Sequence, residues 1–454
     1  MKITIVGAGK VGTTITAQLS KEGHDITLID TKSDVLENAQ GLYDIISVAG
    51  NGASMATLQE AGIQNNDLLI AVTSRDEVNM LACITAKNIN SKINCIARIR
   101  NPEYVAQAYK MSEVFGLSLV INPEKQAAVE ISQLLKLPGT LSREFFAKAR
   151  MEMIEIKIEE YSKLVGVKLQ DLQKIVHTKV LVCAVERDGK AIMPDGSFVL
   201  RVNDKLSVAA QSESLHSLLY SVGIIKKPIK HVLLAGGSKL AYYLAQELLK
   251  SHMTVNIIEI DENACNELAE LLPEATIVKG DASSQAVLDA EDLSDYDAVV
   301  SCTGIDELNV IISMYAALCK VPLTITKLGR GGNTRMLDAL PMGPIVCPKN
   351  LCTSHIVRYV RAMMQSSGSA ALSVHQIANG NAEVLEFMVD ENTKHIGESL
   401  KDISIKKNIL IASITSKGVS SVADGQQKFH VGDTVVVVVA RENPILNLND
   451  IFEG

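Results

Sequence analysis

An internal duplication constrains this chain more than any other feature of its sequence. The glycine turn at Gly7 recurs at Gly236, and the same offset of 229 residues takes Asp30 to Glu259. Further pairs with this offset, or with one residue more, are Arg98 and Lys327, Gly50 and Gly280, Asp76 and Asp306, Glu77 and Glu307, and Asn79 and Asn309. A repeat of this length indicates two copies of one folding unit, because similar residues at one period meet the same structural need.

A second pair of similar segments alternates with the glycine turns. LVGVKLQDL, from Leu164, resembles HIGESLKDI, from His395, and DGSFVLRVND, from Asp195, resembles DGQQKFHVGD, from Asp424. The order of units is therefore A-B-A-B, and four units suit 454 residues at about 100 to 200 residues per domain. With boundaries placed near Pro138, near Pro228 and in SSGSA from Ser366, the predicted domains are 1–137, 138–227, 228–368 and 369–454.

Each A unit alternates short β-branched runs with amphipathic stretches. The first begins KITIVGAG, VGTTITAQLSKEG, DITLID, which is the rhythm of a parallel sheet covered by helices. The later run DLLIAV is almost wholly apolar, as expected of a central strand buried on both faces. The B units are richer in short strands and turn signals such as DG and ND. The predicted fold class is α/β, with two Rossmann-like doubly wound sheets, each followed by a small α+β module.

Composition and charge disfavour three classes of protein. A net charge of -8, with 4% aromatic residues and no Trp, leaves little with which to bind nucleic acid. No apolar run approaches the roughly 18 to 20 residues that cross a bilayer, and the N-terminus lacks the order of a signal peptide, so we expect a cytoplasmic protein. The eight cysteines form no CxxC pair and are expected to be reduced core residues rather than disulfides or metal ligands.

The segment GAGKVG follows a predicted strand and opens a predicted helix, which is the context in which such glycines have a physical role. Gly7 permits the tight turn, Gly9 lets the backbone approach a pyrophosphate, and Gly12 lets the helix pack closely on the sheet. Asp30 ends the second strand, where a carboxylate accepts hydrogen bonds from ribose hydroxyls and favours NAD over NADP. The alternative is an empty structural turn with Asp30 as a helix cap.

Further polar residues follow the strands of the first A unit at the edge where ligands bind in such folds. Thr73 and Ser74 follow the fourth strand and Arg98 ends the fifth, as phosphate or ribose contacts. Lys10 adds a cation beside the glycine turn, and Asn51 lies near the expected adenine position. The alternatives are a helix cap for Thr73 and an intersubunit salt bridge for Arg98.

The second A unit departs from the glycine pattern. Its turn reads GGSKLA, so Ser238 stands in the place of Gly9, where a side chain crowds an approaching pyrophosphate. Gly236, the acid Glu259 and the cation Lys327 are retained as candidate contacts. Two interpretations stay open at this point: a weaker or differently selective nucleotide site, or a purely structural unit.

The sequence offers no catalytic set beside either glycine turn. A dehydrogenase pairs its cofactor domain with a substrate domain that carries a general acid or base, and neither B unit supplies one. Cys347, Cys352 and His355 lie outside the usual zinc spacings. These observations favour a nucleotide-sensing regulatory protein over an enzyme. The alternatives are an NAD-dependent oxidoreductase and a nucleotide-responsive transcription factor, for which no helix-turn-helix or basic face is evident.

Five ordered segments carry a resemblance to a known family: GAGKVG, DITLID, GNGASMATLQEAG, AVTSRDEVNM and IARIRNPEY. With the A-B-A-B plan, they resemble the TrkA family of bacterial potassium-uptake regulatory subunits, which have tandem RCK N and C domains. The resemblance implies a homo-oligomeric ring, a tetramer, that lies peripherally on the inner face of the cell membrane. It also implies that the ring gates a potassium-translocating subunit of the Trk type according to bound NAD(H) or ATP/ADP.

The resemblance also assigns contacts to the nucleotide. The family's dinucleotide contacts correspond here to Gly7, Ala8, Gly9, Lys10, Val11, Asp30, Thr73, Ser74 and Arg98. Ser238 departs from the family's pattern and puts the second site in doubt.

Overall fold

The computed structural model describes residues 1–146, 150–176, 178–224, 227–329, 340, 342–364, 371–440, 445 and 447–453. The predicted boundary near Ser366 lies outside the described residues, and the domain boundaries remain predictions. Among the described residues, no helix combines the length and the apolar content needed to span a membrane.

The first Rossmann-like unit is a six-stranded, fully parallel sheet with the strand order 3-2-1-4-5-6. All four residues of its fourth strand are buried, as expected of a central strand that is covered on both faces. The strands are β1 Lys2–Val6, β2 Asp25–Asp30, β3 Ile46–Ala49, β4 Leu68–Ala71, β5 Asn94–Arg98 and β6 Leu119–Ile121. The helices are α1 Lys10–Lys21, α2 Ser33–Leu42, α3 Met55–Glu60, α4 Asp76–Ile89, α5 Pro102–Lys110 and α6 Pro123–Lys136.

The first small module is an antiparallel sheet with the strand order 10-9-11-8-7, and its described residues also include a short α-helix. The predicted DG turn, at Asp188 and Gly189, joins its outermost pair of strands with both residues at positive φ. The elements are β7 Thr140–Phe146, β8 Met151–Lys157, β9 Val180–Arg187, β10 Lys190–Ile192, β11 Lys205–Gln211 and α7 Leu215–Ser221.

The second Rossmann-like unit repeats the first, with a fully parallel sheet in the order 14-13-12-15-16-17. Its strands are β12 His231–Ala235, β13 Thr254–Glu259, β14 Thr276–Lys279, β15 Ala298–Ser301, β16 Leu323–Lys327 and β17 Ile345–Val346. Its helices are α8 Lys239–Leu249, α9 Glu262–Leu271, α10 Gln285–Ala290, α11 Asp306–Leu318 and α12 Pro348–Met364.

The second small module repeats the antiparallel plan of the first, in the order 18-19-22-20-21. Its strands are β18 Ser373–Ile377, β19 Ala382–Met388, β20 Ile409–Ser416, β21 Val419–Val422 and β22 Thr434–Ala440. The predicted α/β fold class and the A-B-A-B order are therefore confirmed.

The two repeats exchange the helix that follows each parallel sheet, and we call α6 and α12 the crossover helices. Helix α6 begins with a proline at its first position, and the Asn122 side chain caps it by accepting from the Lys125 N–H. Its apolar stripe packs against α8 in the core of the second unit, through Ala127, Ala128, Ile131, Leu134 and Leu135. In return, α12 packs against α1 in the first unit, through Cys352, Ile356, Val357 and Val360. Each Rossmann core is thus completed by the other repeat.

The two small modules also share a core. Side chains such as Met153 and Ala209 from the first module cluster with Val384 and Val436 from the second. Together with the crossover helices, this shared core makes the chain an intramolecular pair of equivalent halves, in which each unit packs against its counterpart.

Candidate functional site

Two of the three glycines in the first turn are required by the fold itself. Gly7 has φ +103°, and a Cβ placed on it would lie 2.9 Å from the Thr73 nitrogen. A Cβ on Gly12 would lie 1.8 Å from the Gly7 carbonyl oxygen, because α1 packs directly on the turn. By contrast, apart from its two chain neighbours, no described residue has an atom within 4 Å of where a Cβ on Gly9 would lie. The open space in front of Gly9 is therefore available to a ligand.

The first turn of α1 presents its amides to this space. The helix begins at Lys10 with Gly9 as the N-cap residue, and glycine has no side chain with which to cap it. The N–H groups of the first helical turn have no partners within the helix, and the helix dipole makes this end favourable for an anion. Val11 is buried beneath the turn, so it supports the helix start.

Asp30 is fixed at the end of β2 by two backbone donors. Its Oδ2 accepts from the Ala8 N–H at 2.7 Å, and its Oδ1 accepts from the Lys32 N–H at 3.0 Å. Each carboxylate oxygen keeps a further acceptor site for a ribose hydroxyl. The N-cap residue of α2 is Lys32, so Asp30 does not have the helix-capping role that was its alternative.

A buried asparagine brings Thr73 and Arg98 together. Asn79 Oδ1 accepts from both the N–H and the hydroxyl of Thr73, at 2.8 and 2.7 Å, and Asn79 Nδ2 donates to the Arg98 carbonyl at 2.8 Å. The Arg98 guanidinium in turn donates to the Thr73 carbonyl. Asn79 is not among the site residues predicted from the sequence, although its recurrence as Asn309 was the signal. Arg75 rather than Thr73 is the N-cap residue of α4.

Arg98 keeps one buried donor for a further partner. Its Nε lacks a hydrogen-bond partner among the residues that the structure describes. Burial lowers the pKa of Arg98, and the neighbouring Arg100 cation lowers it further. A guanidinium nevertheless remains charged at neutral pH. Arg100 itself donates to the Ser74 carbonyl at 2.6 Å. The edge beyond β4 and β5 thus carries two cations beside Thr73 and Ser74.

Asn51 shapes the loop after β3. Its Oδ1 accepts from the Ala53 N–H at 3.1 Å, and its side chain is exposed at the same sheet edge as Asp30. The loop passes so close to β1 that a Cβ on Gly52 would lie 2.1 Å from Val6 Cγ1. Asn51 is therefore held at the cleft, and its contact with a base remains a prediction.

The ligand edge of the first unit adjoins the second unit at two points. Gly329 follows β16, and Lys10 Nζ lies 3.7 Å from where a Cβ on this glycine would be. The Tyr243 hydroxyl on α8 donates to the Arg100 carbonyl at 3.0 Å and accepts from Asn122 Nδ2 at 3.1 Å. Residues at the edge of the first cleft therefore contact both units.

The second unit gathers its candidate residues in the same way. Gly236 has φ +109°, and Glu259 Oε2 accepts from the Gly237 N–H at 2.6 Å. Lys327 Nζ donates to the Thr303 carbonyl at 2.8 Å, as Arg98 does to Thr73 in the first unit. Gly236, Glu259 and Thr303 line a cleft of about 700 Å³ at the carboxyl ends of β12, β13 and β15, and Lys327 contacts it through the Thr303 carbonyl.

Ser238 gives the second turn a different helix start. Its hydroxyl donates to the Cys302 carbonyl at 3.0 Å and accepts from the Ala241 N–H at 3.4 Å, so it caps α8. The corresponding position in the first unit is Gly9, which leaves that helix start open. The two clefts therefore share a backbone arrangement, but the helix N–H groups that could bind an anion are open in the first and partly capped in the second.

Family models match most of both repeats. The TrkA-N domain matches residues 3–123 and 232–348, and the TrkA-C domain matches residues 153–220. The TrkA-N matches alone cover more than half of the chain and coincide with the two parallel-sheet units.

Relatives named Trk system potassium uptake protein TrkA, or its homolog, match along nearly their whole length, and two of them serve as examples. The protein of Haemophilus influenzae is 29% identical over 100% of this chain and 99% of its own. Homolog 1 of Methanosarcina mazei is 30% identical over 96% of this chain and 97% of its own.

Solved structures with low sequence identity share the fold. The GsuK channel bound to NAD superimposes with a TM-score of 0.63 at 14% identity, covering 97% of this chain and 77% of that one. The GsuK RCK domain gives a TM-score of 0.63 at 14% identity, with coverages of 97% and 92%. The duplicated fold, the two family-model matches and the full-length relatives together show that this chain belongs to the TrkA family.

Proposed function

We propose that the protein is a nucleotide-sensing regulatory subunit that gates a potassium-translocating membrane protein of the Trk type. The observation that carries the proposal is the first cleft, where an uncapped helix start, the fixed carboxylate of Asp30 and the buried cation of Arg98 meet at one sheet edge. The same edge contacts the second unit through Lys10 and Tyr243. The names of the full-length relatives support the potassium-uptake role.

The proposed ligand of the first cleft is NAD(H) or ATP/ADP. The helix start and Arg98 suit a diphosphate group, and Asp30 suits the ribose hydroxyls of an adenine nucleotide. A solved structure with the same fold, that of the GsuK channel, is of a form bound to NAD. In this arrangement, Gly7, Ala8 and Val11 supply backbone or support to the turn, whereas Asn51, Thr73 and Ser74 line its flank.

The proposed mechanism is a shift between two arrangements of the ring. A ligand biases such an equilibrium only through its different affinities for the two states, and about 1 kcal/mol at each of several sites sums to a large bias. Phosphate drawn between Lys10 and Arg98 would change the fit of the first unit against Gly329 and Tyr243. The ring is proposed to be a homo-oligomer, a tetramer, lying peripherally on the inner face of the membrane.

Replacing Asp30 with alanine is expected to weaken nucleotide binding by about 5- to 150-fold, or roughly 1 to 3 kcal/mol, because charge-assisted bonds to the ribose are lost. Titration calorimetry of the full chain with NAD and with ATP measures the effect. The matched control is Asp25→Ala, which removes an exposed carboxylate from the opposite end of β2. Equal affinities for wild type and Asp30→Ala would exclude the assigned role.

The bound nucleotide is expected to be released unchanged, because no general acid or base is assigned among the described residues of either cleft. Incubation of the protein with NADH and a panel of small metabolites, followed by absorbance at the nicotinamide band, measures consumption. Sustained oxidation that requires one metabolite and disappears in Gly9→Asp would favour the alternative function, an NAD-dependent oxidoreductase.

Addition of this protein to liposomes that contain a Trk-type membrane subunit is expected to change potassium flux in a nucleotide-dependent way. Rubidium uptake with NADH, NAD, ATP and ADP in separate arms measures the change, and Asp30→Ala serves as the variant that binds less nucleotide. Equal flux with and without the protein, and in all four nucleotides, would contradict the gating proposal even if the nucleotides bind.

A further inference from the structure

The cleft of the second unit has largely apolar walls. Its lining includes the apolar side chains of Ile258, Ile260, Ala282, Ile305 and Leu308. In the first unit, the residues matching Ile260 and Ile305 are Thr31 and Arg75, so the walls are more apolar in the second unit. Its volume of about 700 Å³ falls in the range of small-molecule sites.

The helix start in this cleft is less open to an anion than the one in the first. The Ser238 hydroxyl takes the Ala241 N–H and is itself held by the Cys302 carbonyl. A pyrophosphate would have to displace this cap and also fit beside a Cβ and a hydroxyl. The first cleft presents only the open space in front of Gly9.

At two matched positions, the second cleft also carries more negative charge than the first. Arg75 at the mouth of the first cleft is replaced by Ile305, and Asn51 is replaced by Asp281. One cation is lost and one anion is gained, so the second cleft is more negative by two charges at these positions. Asp281 is ionised at neutral pH, since hydrogen bonds from the Ser283 hydroxyl and N–H lower the pKa of its carboxyl. These changes repel a ligand with several phosphates.

The features that would bind a nucleoside are retained. Three backbone donors hold the Glu259 carboxylate, from Gly237 at 2.6 Å and from Ile260 and Asp261 at 2.8 and 2.9 Å. It stands where Asp30 stands in the first unit, in position to accept from ribose hydroxyls. Lys327 does not line the cleft, but it donates to the carbonyl of the lining residue Thr303 and so places one cation next to it. The apolar walls of the cleft suit the flat ring of a nucleobase.

We propose that the second cleft binds a ribonucleoside carrying no more than one phosphate, and that it discriminates against dinucleotides and nucleoside polyphosphates. The inference rests on the proposed function, since it assigns a different ligand class to the second of two sensing clefts. A chain built this way reports two signals at once: a phosphate-rich ligand in the first unit and a phosphate-poor ligand in the second.

The test uses the full chain with the first cleft blocked by Gly9→Asp. Adenosine, guanosine, their monophosphates, ADP, ATP and NAD are titrated by calorimetry. We expect at least one nucleoside or monophosphate to bind at least 10-fold more tightly than ADP, ATP or NAD. Adding Ser238→Gly, Asp281→Asn and Ile305→Arg to this background is expected to reverse the order. Before these changes, a preference of less than 10-fold over ADP, ATP or NAD, or no binding of any nucleoside or monophosphate, would overturn the inference.

A second variant separates this inference from the proposed function. Glu259→Ala in an otherwise wild-type chain weakens the second cleft and leaves the first unchanged, and thermal unfolding checks that it folds. ATP or NAD binding to this variant tests the first cleft alone. Its absence would count against the proposed function, whereas the ligand order in the Gly9→Asp background decides the inference on the second cleft.

Discussion

Replacing Gly9 with aspartate is expected to abolish nucleotide binding at the first cleft while the protein stays folded. Gly9 has φ -73° and ψ -174°, a conformation open to any residue, and a Cβ there meets no described residue other than its chain neighbours within 4 Å. Aspartate is also a favourable N-cap residue, so its carboxylate would take the free N–H groups of α1. A fixed negative charge would then occupy the phosphate position, and affinity should fall at least 100-fold, about 2.7 kcal/mol.

Calorimetry with NAD and ATP measures this loss, and thermal unfolding measures stability, which should not fall. Two controls flank the variant. Ser238→Asp makes the matched change in the second turn and should leave binding at the first cleft unchanged. Gly12→Ala places a Cβ 1.8 Å from the Gly7 carbonyl and should destabilise the protein. Binding by Gly9→Asp within threefold of wild type would remove the glycine turn from the proposed site.

Truncating Ile356 to alanine is expected to destabilise the first Rossmann-like unit, although this residue lies in the crossover helix that follows the second. Its side chain is 0% exposed and packs in the core formed by β1 and α1. Large-to-small changes at such positions typically cost about 2 to 5 kcal/mol in the free energy of unfolding, from lost burial and a residual cavity.

Hydrogen exchange locates the effect, with faster exchange expected in α1 and β1 than in α8. Leu134→Ala in α6 should give the opposite pattern, because that side chain packs in the core of the second unit. Ile311→Ala is the exposed control, at 62% exposure, and should change stability by less than about 0.5 kcal/mol. Unchanged exchange in α1 of Ile356→Ala would contradict the exchanged packing.

The fold class was predictable because its signals are local and repeated. Strand, glycine turn and helix follow one another within about 20 residues, and the duplication shows the pattern twice. The exchange of crossover helices was not predictable in the same way. The apolar stripe of α6, with Ile131 and Leu134, shows that one face is buried, yet it does not specify which sheet covers it.

The candidate site likewise contains residues that local sequence patterns predict and residues that depend on distant contacts. Asp30 and the glycine turn are linked by sequence spacing to a known backbone geometry, and the structure brings them into contact through the Ala8 N–H. Asn79 and Tyr243 act through distant partners, at Arg98 in β5 and at Arg100 across the unit boundary. Local sequence patterns do not identify the partners of such residues; the recurrence of Asn79 as Asn309 marked the residue but not its contacts.

The exchanged helices also govern how the protein can finish folding on the ribosome. The first sheet is complete once Ile121 has been made, but the helix that covers its open face begins only at Pro348. At about 5 to 20 residues per second, translation of the intervening chain takes roughly 10 to 45 s. Throughout that interval the nascent chain carries an apolar face that a chaperone can bind. The two halves therefore mature together, late in synthesis, rather than one after the other.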